Sequence, residues 1–214
     1  MADERVIYLM KGTLVGLSAG FIVSLFRLGI EFILETVIEG YHFMQEQPIW
    51  LIPWVIFSVT AALIVGKLVK SEPNIKGSGI PQVEGQVQGL ISLNWWPVLW
   101  KKFIGGLLAI GSGLFLGREG PSIQLGSAVG QGISNLTKGD DVEEKILLSS
   151  GAGAGVAAAF NAPLAGLLFV LEEVKHNISH LLAITTFTSA RVANLSSLNF
   201  FGLPPGLDFG MTNT

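Results

Sequence analysis

The sequence contains no cysteine and few charged side chains, and both shortages narrow the classes of protein to which it can belong. Without cysteine there is no disulfide, no thiolate nucleophile and no cysteine-ligated metal. Charged residues make up 14% of the 214 residues, against about 25% in a typical soluble domain. The net charge of −3, with no basic stripe, argues against a nucleic-acid partner. Because 50% of the residues are hydrophobic, we expect a chain whose solvent is the lipid bilayer.

The uncharged runs between the charged residues are of unequal length. The run that ends at Gly66 and the run 146–171 approach or exceed the length of about 20 apolar residues that a helix needs to cross a bilayer. Others are shorter, and many of the 27 glycines fall between residues 77 and 130. Helices that break at membrane depth are typical of transporter binding sites. The pattern therefore predicts an all-α, polytopic protein of the cell membrane, with broken and re-entrant helices.

Glycine, proline and charge positions predict eight helices followed by an irregular tail. Lys67, Lys70 and Lys76 place the 66–76 connection in the cytoplasm by the positive-inside rule, and the 40–49 connection, without Lys or Arg, outside. The helices are expected at about 6–38, 50–70, 81–91, 96–116, 119–136, 141–159, 162–175 and 178–200, with the tail at 203–214.

Two glycine-flanked turns carry the chemistry that we expect of this chain. They are Gly77-Ser78-Gly79-Ile80-Pro81 and Gly117-Arg118-Glu119-Gly120-Pro121. In both, glycine permits unusual backbone angles, and proline stands where the first helical turn begins. A helix N-terminus with free N–H groups is an anion site. We therefore predict that an anion is bound by Ser78, Gly79, Gly117, Arg118, Glu119 and Gly120.

Glu119 is an unusual residue for an anion site, because a carboxylate competes with the anion. When deprotonated it can occupy the N–H groups itself, and when protonated it is neutral and can leave. This predicts a gate at which a proton and an anion exchange places. The alternative is that Glu119 pairs with Arg118 or caps a helix, although neighbouring helical residues do not face each other.

Three segments resemble the signature stretches of the CLC family of chloride channels and transporters. They are the stretch from Gly77 to Gly85, the stretch from Gly117 to Ser122, and Phe160-Asn161-Ala162-Pro163-Leu164-Ala165-Gly166. Their order and spacing are also similar to those of the family. The resemblance implies that Ser78 helps to coordinate a central chloride and that Glu119 is the gating glutamate.

The same resemblance bears on proton coupling. Exchangers of the family keep a second acid that relays protons, and Glu173 in Leu171-Glu172-Glu173-Val174 falls on that position. From the residues alone, two acids after a long uncharged run could simply mark the membrane boundary. The resemblance implies a proton–chloride antiporter in which Glu173 relays protons, and a passive chloride channel is the alternative.

The resemblance further implies that part of the transport unit is missing from this chain. Family members have two inverted repeats in one chain, with the ion site between them. Residues 1–202 would be the first repeat and residues 203–214 the start of the inter-repeat linker. The second repeat would supply further N–H donors and a tyrosine hydroxyl, and the whole would be a homodimer without cofactor. A non-transporting half-subunit or fragment is the remaining alternative.

Other patterns suggest enzymatic or metal chemistry only weakly. The segment Gly16–Gly20 fits the G-x-S-x-G pattern of hydrolases, but it lies in an apolar helix rather than after a strand. His176 and His180, four residues apart, could face a metal, but they more often mark an interface. We therefore expect neither an enzyme nor a metal site.

The sequence also predicts one ion pair and one surface of small residues. Glu84 and Lys102 have opposite charges within buried segments, so we expect them to pair. The small residues of 151–166 predict either close helix packing or a ligand surface.

Overall fold

The structure, a computed structural model, describes residues 2–114, 116–174 and 179–202. Within these residues the regular structure is helical and there is no strand, so the all-α prediction is confirmed. The α-helices are α1 (Ala2–Glu46), α2 (Leu51–Ser71), α3 (Ile80–Val87), α4 (Trp95–Gly111), α5 (Glu119–Leu136), α6 (Asp141–Phe160), α7 (Pro163–Phe169) and α8 (His180–Phe201). Short 3₁₀ turns at Pro48–Trp50 and Pro73–Ile75, and a π-helical turn at Val170–Val174, complete the described elements.

Most predicted helices lie within a few residues of the observed ones, and the larger differences have local causes. The first helix continues to Glu46 rather than 38, and it stops just before Pro48. The fourth ends at Gly111 rather than 116, because Gly113 takes a φ of +87° that an α-helix does not contain. The tail at 203–214 lies outside the described residues.

α5 and α6 form the centre of the fold and cross at glycines. A Cβ atom on Gly126 would contact the carbonyl oxygen of Gly151, and one on Gly155 would contact that of Ser122. Residues 146–159 of α6 are all buried. The packing interpretation of the small residues is therefore confirmed for this helix, whose backbone lies against the backbone of α5.

α1 and α8 pack together against this central pair. The buried side chains of α1 include Val23 and Phe26, which join α5 and α6 in one apolar cluster. A Cβ atom on Gly20 would lie 2.8 Å from the carbonyl oxygen of Ala193 in α8. The Gly16–Gly20 segment is thus a helix-packing surface, which agrees with rejecting the hydrolase pattern.

α2 is the one described helix that is long and apolar enough to cross a membrane alone. Its mean hydropathy is 2.0 over the most apolar window, and only 6% of that window is buried against the rest of the chain. Because nearly all of its apolar surface faces outwards, α2 depends on surroundings other than this chain to cover it.

The glycine crossing provides a test of the fold. Replacing Gly155 by Ala should lower the free energy of unfolding by about 1–3 kcal/mol, because the new methyl group would meet backbone that cannot rotate away. The matched control is Gly66→Ala in α2, where an added Cβ has no neighbour within 4 Å. Thermal unfolding in detergent should place Gly66→Ala within about 1 kcal/mol of the parent protein. Equal stabilities for the two variants would contradict this packing.

Candidate functional site

The two glycine-flanked turns of the sequence meet in the structure. A Cβ atom on Gly120 would lie 2.7 Å from the Cβ of Ser78 and 2.8 Å from its carbonyl oxygen. No residue larger than glycine fits there without moving backbone. The N-termini of α3 and α5, which are about 40 residues apart in the sequence, therefore come together.

Beside this contact lies a cavity of about 510 Å³. The first turn contributes Gly77 and Ser78 to its wall, and the second contributes Glu119. α2 and α4 complete the enclosure. Further lining residues include Val65, Lys101, Lys102, Gly117, Gly120 and Pro121.

The first turn is shaped by glycine and by the hydroxyl group of Ser78. Gly79 caps α3 with a φ of +95°, and a Cβ atom there would lie 2.5 Å from the Oε1 atom of Gln124. The Ser78 Oγ atom accepts a hydrogen bond from the backbone N–H of Ile80 at 3.4 Å. Ser78 itself is exposed and lines the cavity, so its hydroxyl hydrogen remains able to point towards a bound anion.

Lys102 holds the chain that leads into this turn. Its Nζ atom donates hydrogen bonds to the carbonyl oxygens of Ile75 at 2.9 Å and Gly77 at 2.7 Å, and only 4% of the residue is exposed. The predicted pair between Glu84 and Lys102 is wrong, because the 3₁₀ turn that ends at Ile75 presents backbone carbonyls to the ammonium group. Gln124 adds a hydrogen bond of 2.9 Å from Nε2 to the carbonyl oxygen of Asn74.

Glu119 is the first residue of α5 and faces the cavity. Its carboxylate lies directly beside the Cα atom of Gly117, where a Cβ would contact it, and the side chain is half-buried. The first bond of the helix runs from the N–H of Ser122 to the carbonyl oxygen of Arg118 at 3.1 Å. The N–H groups of Glu119 and Gly120 precede that bond, so the helix itself does not use them.

The side chain of Arg118 points to a different helix from its neighbour Glu119. Its Nη1 atom donates to the Oε1 atom of Glu31 in α1 at 2.8 Å. The alternative in which Arg118 pairs with Glu119 is therefore not what the chain forms. Glu31 was missed by sequence reasoning, and the available signal was an acid four residues after Arg27 in an apolar helix.

Two other residues named from the sequence, Glu173 and His176, lie partly or wholly outside the described residues. The backbone of Glu173 belongs to the π-helical turn Val170–Val174, and its side chain lies outside the described part of the structure. His176 also lies outside it. Among the described residues no group of three or more His, Cys, Asp or Glu side chains could hold a metal ion.

Comparison with known families and curated proteins gives consistent matches. Residues 58–214 match the family model for the voltage gated chloride channel. The chain is 40% identical over 193 residues to the "H(+)/Cl(-) exchange transporter ClcA" of Vibrio parahaemolyticus, covering 87% of this chain and 41% of the relative. The transporter of the same name from Cronobacter sakazakii is 39% identical over 171 residues, with 78% and 36% covered. The chain thus spans less than half the length of these relatives.

Solved structures resemble the fold closely. A slow cyanobacterial Cl⁻/H⁺ antiporter superposes with a TM-score of 0.86 and 32% identity, covering 92% of this chain and 48% of that protein. A CLC-type fluoride/proton antiporter gives 0.74 at 20% identity, with 99% and 52% covered, and supports the fold alone.

Proposed function

Because the chain belongs to the voltage gated chloride channel (CLC) family, we propose that it is the first half of a proton-coupled chloride exchanger that crosses the cell membrane several times. Residues 1–202 would form the first inverted repeat, and residues 203–214 would begin the linker to the second. The observation that carries the proposal is the meeting of the α3 and α5 N-termini at Ser78 and Gly120, with Glu119 in the cavity beside them.

The anion is held mainly by partial charges. The N–H groups at the start of α5 and the hydroxyl group of Ser78 replace part of the water shell of chloride. Lys102 lines the same cavity, but two carbonyl oxygens already occupy its ammonium group. A site built from N–H groups, with its lysine already hydrogen-bonded to backbone carbonyls, binds chloride and still releases it, as transport requires.

Glu119 makes this site responsive to protons. Its carboxylate lies beside Gly117 at the helix N-terminus, where a bound anion would also be stabilised. Protonation removes that competition and frees the N–H groups for chloride. Each turnover then exchanges a proton on Glu119 for an anion in the cavity, and Glu173 would pass the proton to the other side.

The complete transporter requires parts beyond this chain. The second half of the fold would add N–H donors and a tyrosine hydroxyl to the central anion, and two copies of the completed protein would form a homodimer in the bilayer. The transported ligands are chloride and protons, and the mechanism uses no cofactor or enzymatic step. We call this chain joined to its second half the completed protein.

Proteoliposomes test the exchange directly. With a chloride gradient across the bilayer, the completed protein should drive protons against their own gradient, and a pH electrode would record the movement. A passive chloride channel would dissipate the chloride gradient with no uphill proton movement. A half-subunit without transport function would give no chloride flux even when joined to the second half.

Glu173→Ala should reduce proton movement to background, because no acid would then pass protons between Glu119 and the cytoplasm. Glu172→Ala is the matched control, since it removes the same charge at the adjacent position, and it should retain coupling. Proton pumping that is normal in Glu173→Ala would remove Glu173 from the mechanism and leave Glu119 unaffected.

A further inference from the structure

α1 presents two charged residues, Arg27 and Glu31, towards the region where α5 begins. They are four residues apart and therefore lie on one face of the helix. The Oε1 atom of Glu31 accepts the hydrogen bond from Arg118 Nη1 at 2.8 Å, across 87 residues of sequence. The side chain of Glu31 is 40% exposed and that of Arg118 is 27% exposed, so both remain in contact with solvent.

Arg27 anchors the inner side of this cluster. It is buried, and its Nη1 atom donates to the carbonyl oxygen of Ala158 near the end of α6 at 2.9 Å. Arg27 lies one helical turn before Glu31, so the carboxylate of Glu31 has one guanidinium group on its own helix and another, that of Arg118, at the start of α5. Arg27 is buried and bonded to α6, whereas Arg118 is partly exposed.

The arrangement matters because Arg118 is bonded to Glu119. Arg118 is the N-cap residue before α5 rather than part of the helix, so the separation of neighbouring helical side chains does not apply to it, and its long side chain, once released from Glu31, can approach the carboxylate of Glu119. A free cation there would favour the charged carboxylate and keep the anion site occupied by it. While Glu31 holds Arg118 on α1, that cation is paired and directed elsewhere.

We propose that Glu31 is a positioning residue that holds Arg118 away from Glu119 and thereby sets the pH at which Glu119 releases the anion site. The proposal rests on the proposed function, because it concerns the same gate. Glu31 and Arg118 act as a pair whose charges cancel, so removing either partner leaves a net charge near Glu119.

Other charges surround α5, and they are unchanged in the variants below. Lys102 is held by two carbonyl oxygens, and the acids of α6 stand at its N-terminal end, away from Ala158. The acidic, basic and histidine residues on the elements around α5 are Asp3, Glu4, Arg5, Lys11, Arg27, Glu31, Glu35, Glu39, His42 and Glu46 on α1, Lys76 before α3, Glu84 on α3, Lys101 and Lys102 on α4, and Asp141, Glu143, Glu144 and Lys145 on α6.

The test is a double-mutant cycle on the pH dependence of chloride flux in proteoliposomes of the completed protein. Flux rises as the pH falls, because protonated Glu119 leaves the site. Glu31→Gln frees a guanidinium group and should shift the midpoint by about 0.5–1 pH unit towards acid. Arg118→Gln removes the partner of Glu31, so the charge of Glu31 should shift the midpoint towards alkali. This shift should be smaller than that of Glu31→Gln, because Arg27 still neutralises part of the Glu31 charge.

The double variant, Glu31→Gln with Arg118→Gln, should return close to the parent midpoint. A purely structural ion pair would instead shift the midpoint in the same direction in both single variants and in the double variant, because each of them loses the same contact. Arg118→Lys keeps the cation and should stay near the parent midpoint even if Arg118→Gln folds poorly. The matched control is Glu35→Gln, one turn further along α1 at an exposed position, which removes the same charge without touching Arg118 and should leave the midpoint in place.

Two kinds of failure are distinguishable. If the parent protein shows neither flux nor chloride binding that varies with pH, the proposed function is wrong and this inference falls with it. If the parent responds to pH but Glu31→Gln and Arg118→Gln shift the midpoint in the same direction, or not at all, Glu31 has no positioning role and the gate model stands. Calorimetric titration of chloride at several pH values gives the same comparison without transport.

Discussion

Glu119→Ala should leave chloride flux in place while reducing chloride-driven proton movement to the level of protein-free liposomes. The substitution removes the one carboxylate that faces the cavity from α5, so no proton can be carried through the anion site. The N–H groups of the helix N-terminus are unchanged, because backbone provides them. Chloride and pH electrodes in the same proteoliposome suspension would measure both fluxes together.

Glu119→Gln is the control for this prediction. Its neutral amide resembles the protonated acid in shape, so it should also uncouple protons while preserving the geometry of the turn. In both variants chloride binding should lose its dependence on pH, since nothing competes with the anion. Persistent uphill proton movement in either variant would overturn the gate model.

Lys102→Met should have the largest effect on the architecture of the site. It removes the ammonium group from the buried carbonyl oxygen of Ile75 and the part-buried one of Gly77, which would then lack these bonds. A buried acceptor left unsatisfied costs about 1–3 kcal/mol, so the free energy of unfolding should fall by about that amount for Ile75 and by less for Gly77, which is exposed to solvent. The segment before Ser78 would loosen, so we expect Lys102→Met to bind chloride about tenfold more weakly, which corresponds to a loss of about 1.4 kcal/mol in binding free energy.

Lys101→Met provides the matched control at the adjacent position. The Nζ atom of Lys101 donates one exposed hydrogen bond, to the carbonyl oxygen of Ser71 at 3.4 Å, and lies 5.5 Å from the centroid of the Trp100 ring. The same substitution there should change stability and chloride affinity little. If Lys101→Met and Lys102→Met have equal effects, general electrostatic attraction rather than support of the Ser78 turn explains the role of these lysines.

The chemistry of the two turns could be predicted because it is local. Glycine at 79 and proline at 81 indicate a left-handed cap followed by a helix, and the structure has Gly79 at a φ of +95° before α3. The same reasoning placed Glu119 at the start of α5. The motifs also identified the family correctly, because three segments in the right order are specific.

Contacts between distant segments could not be predicted in the same way. Lys102 binds backbone carbonyls, which every residue has, so no sequence pattern distinguished them from the carboxylate of Glu84. The pair of Glu31 and Arg118 joins α1 to α5, and a single sequence contains no information about which of several arginines meets a given acid. The predicted end of α1 at about 38 was too early, and the added residues pack against the segment that follows: the ring of Tyr41 lies against that of Trp54, and the ring of Phe43 against that of Trp50.

The central claim is that an anion binds where the N-termini of α3 and α5 meet. Crystals of the completed protein grown in bromide test it most directly, since anomalous scattering locates bromide independently of the protein map. We expect a bromide peak in the cavity within hydrogen-bond distance of the Ser78 hydroxyl group or of the N–H groups of Glu119 and Gly120. Bromide bound elsewhere, with this cavity empty in both the parent and Glu119→Gln proteins, would contradict it.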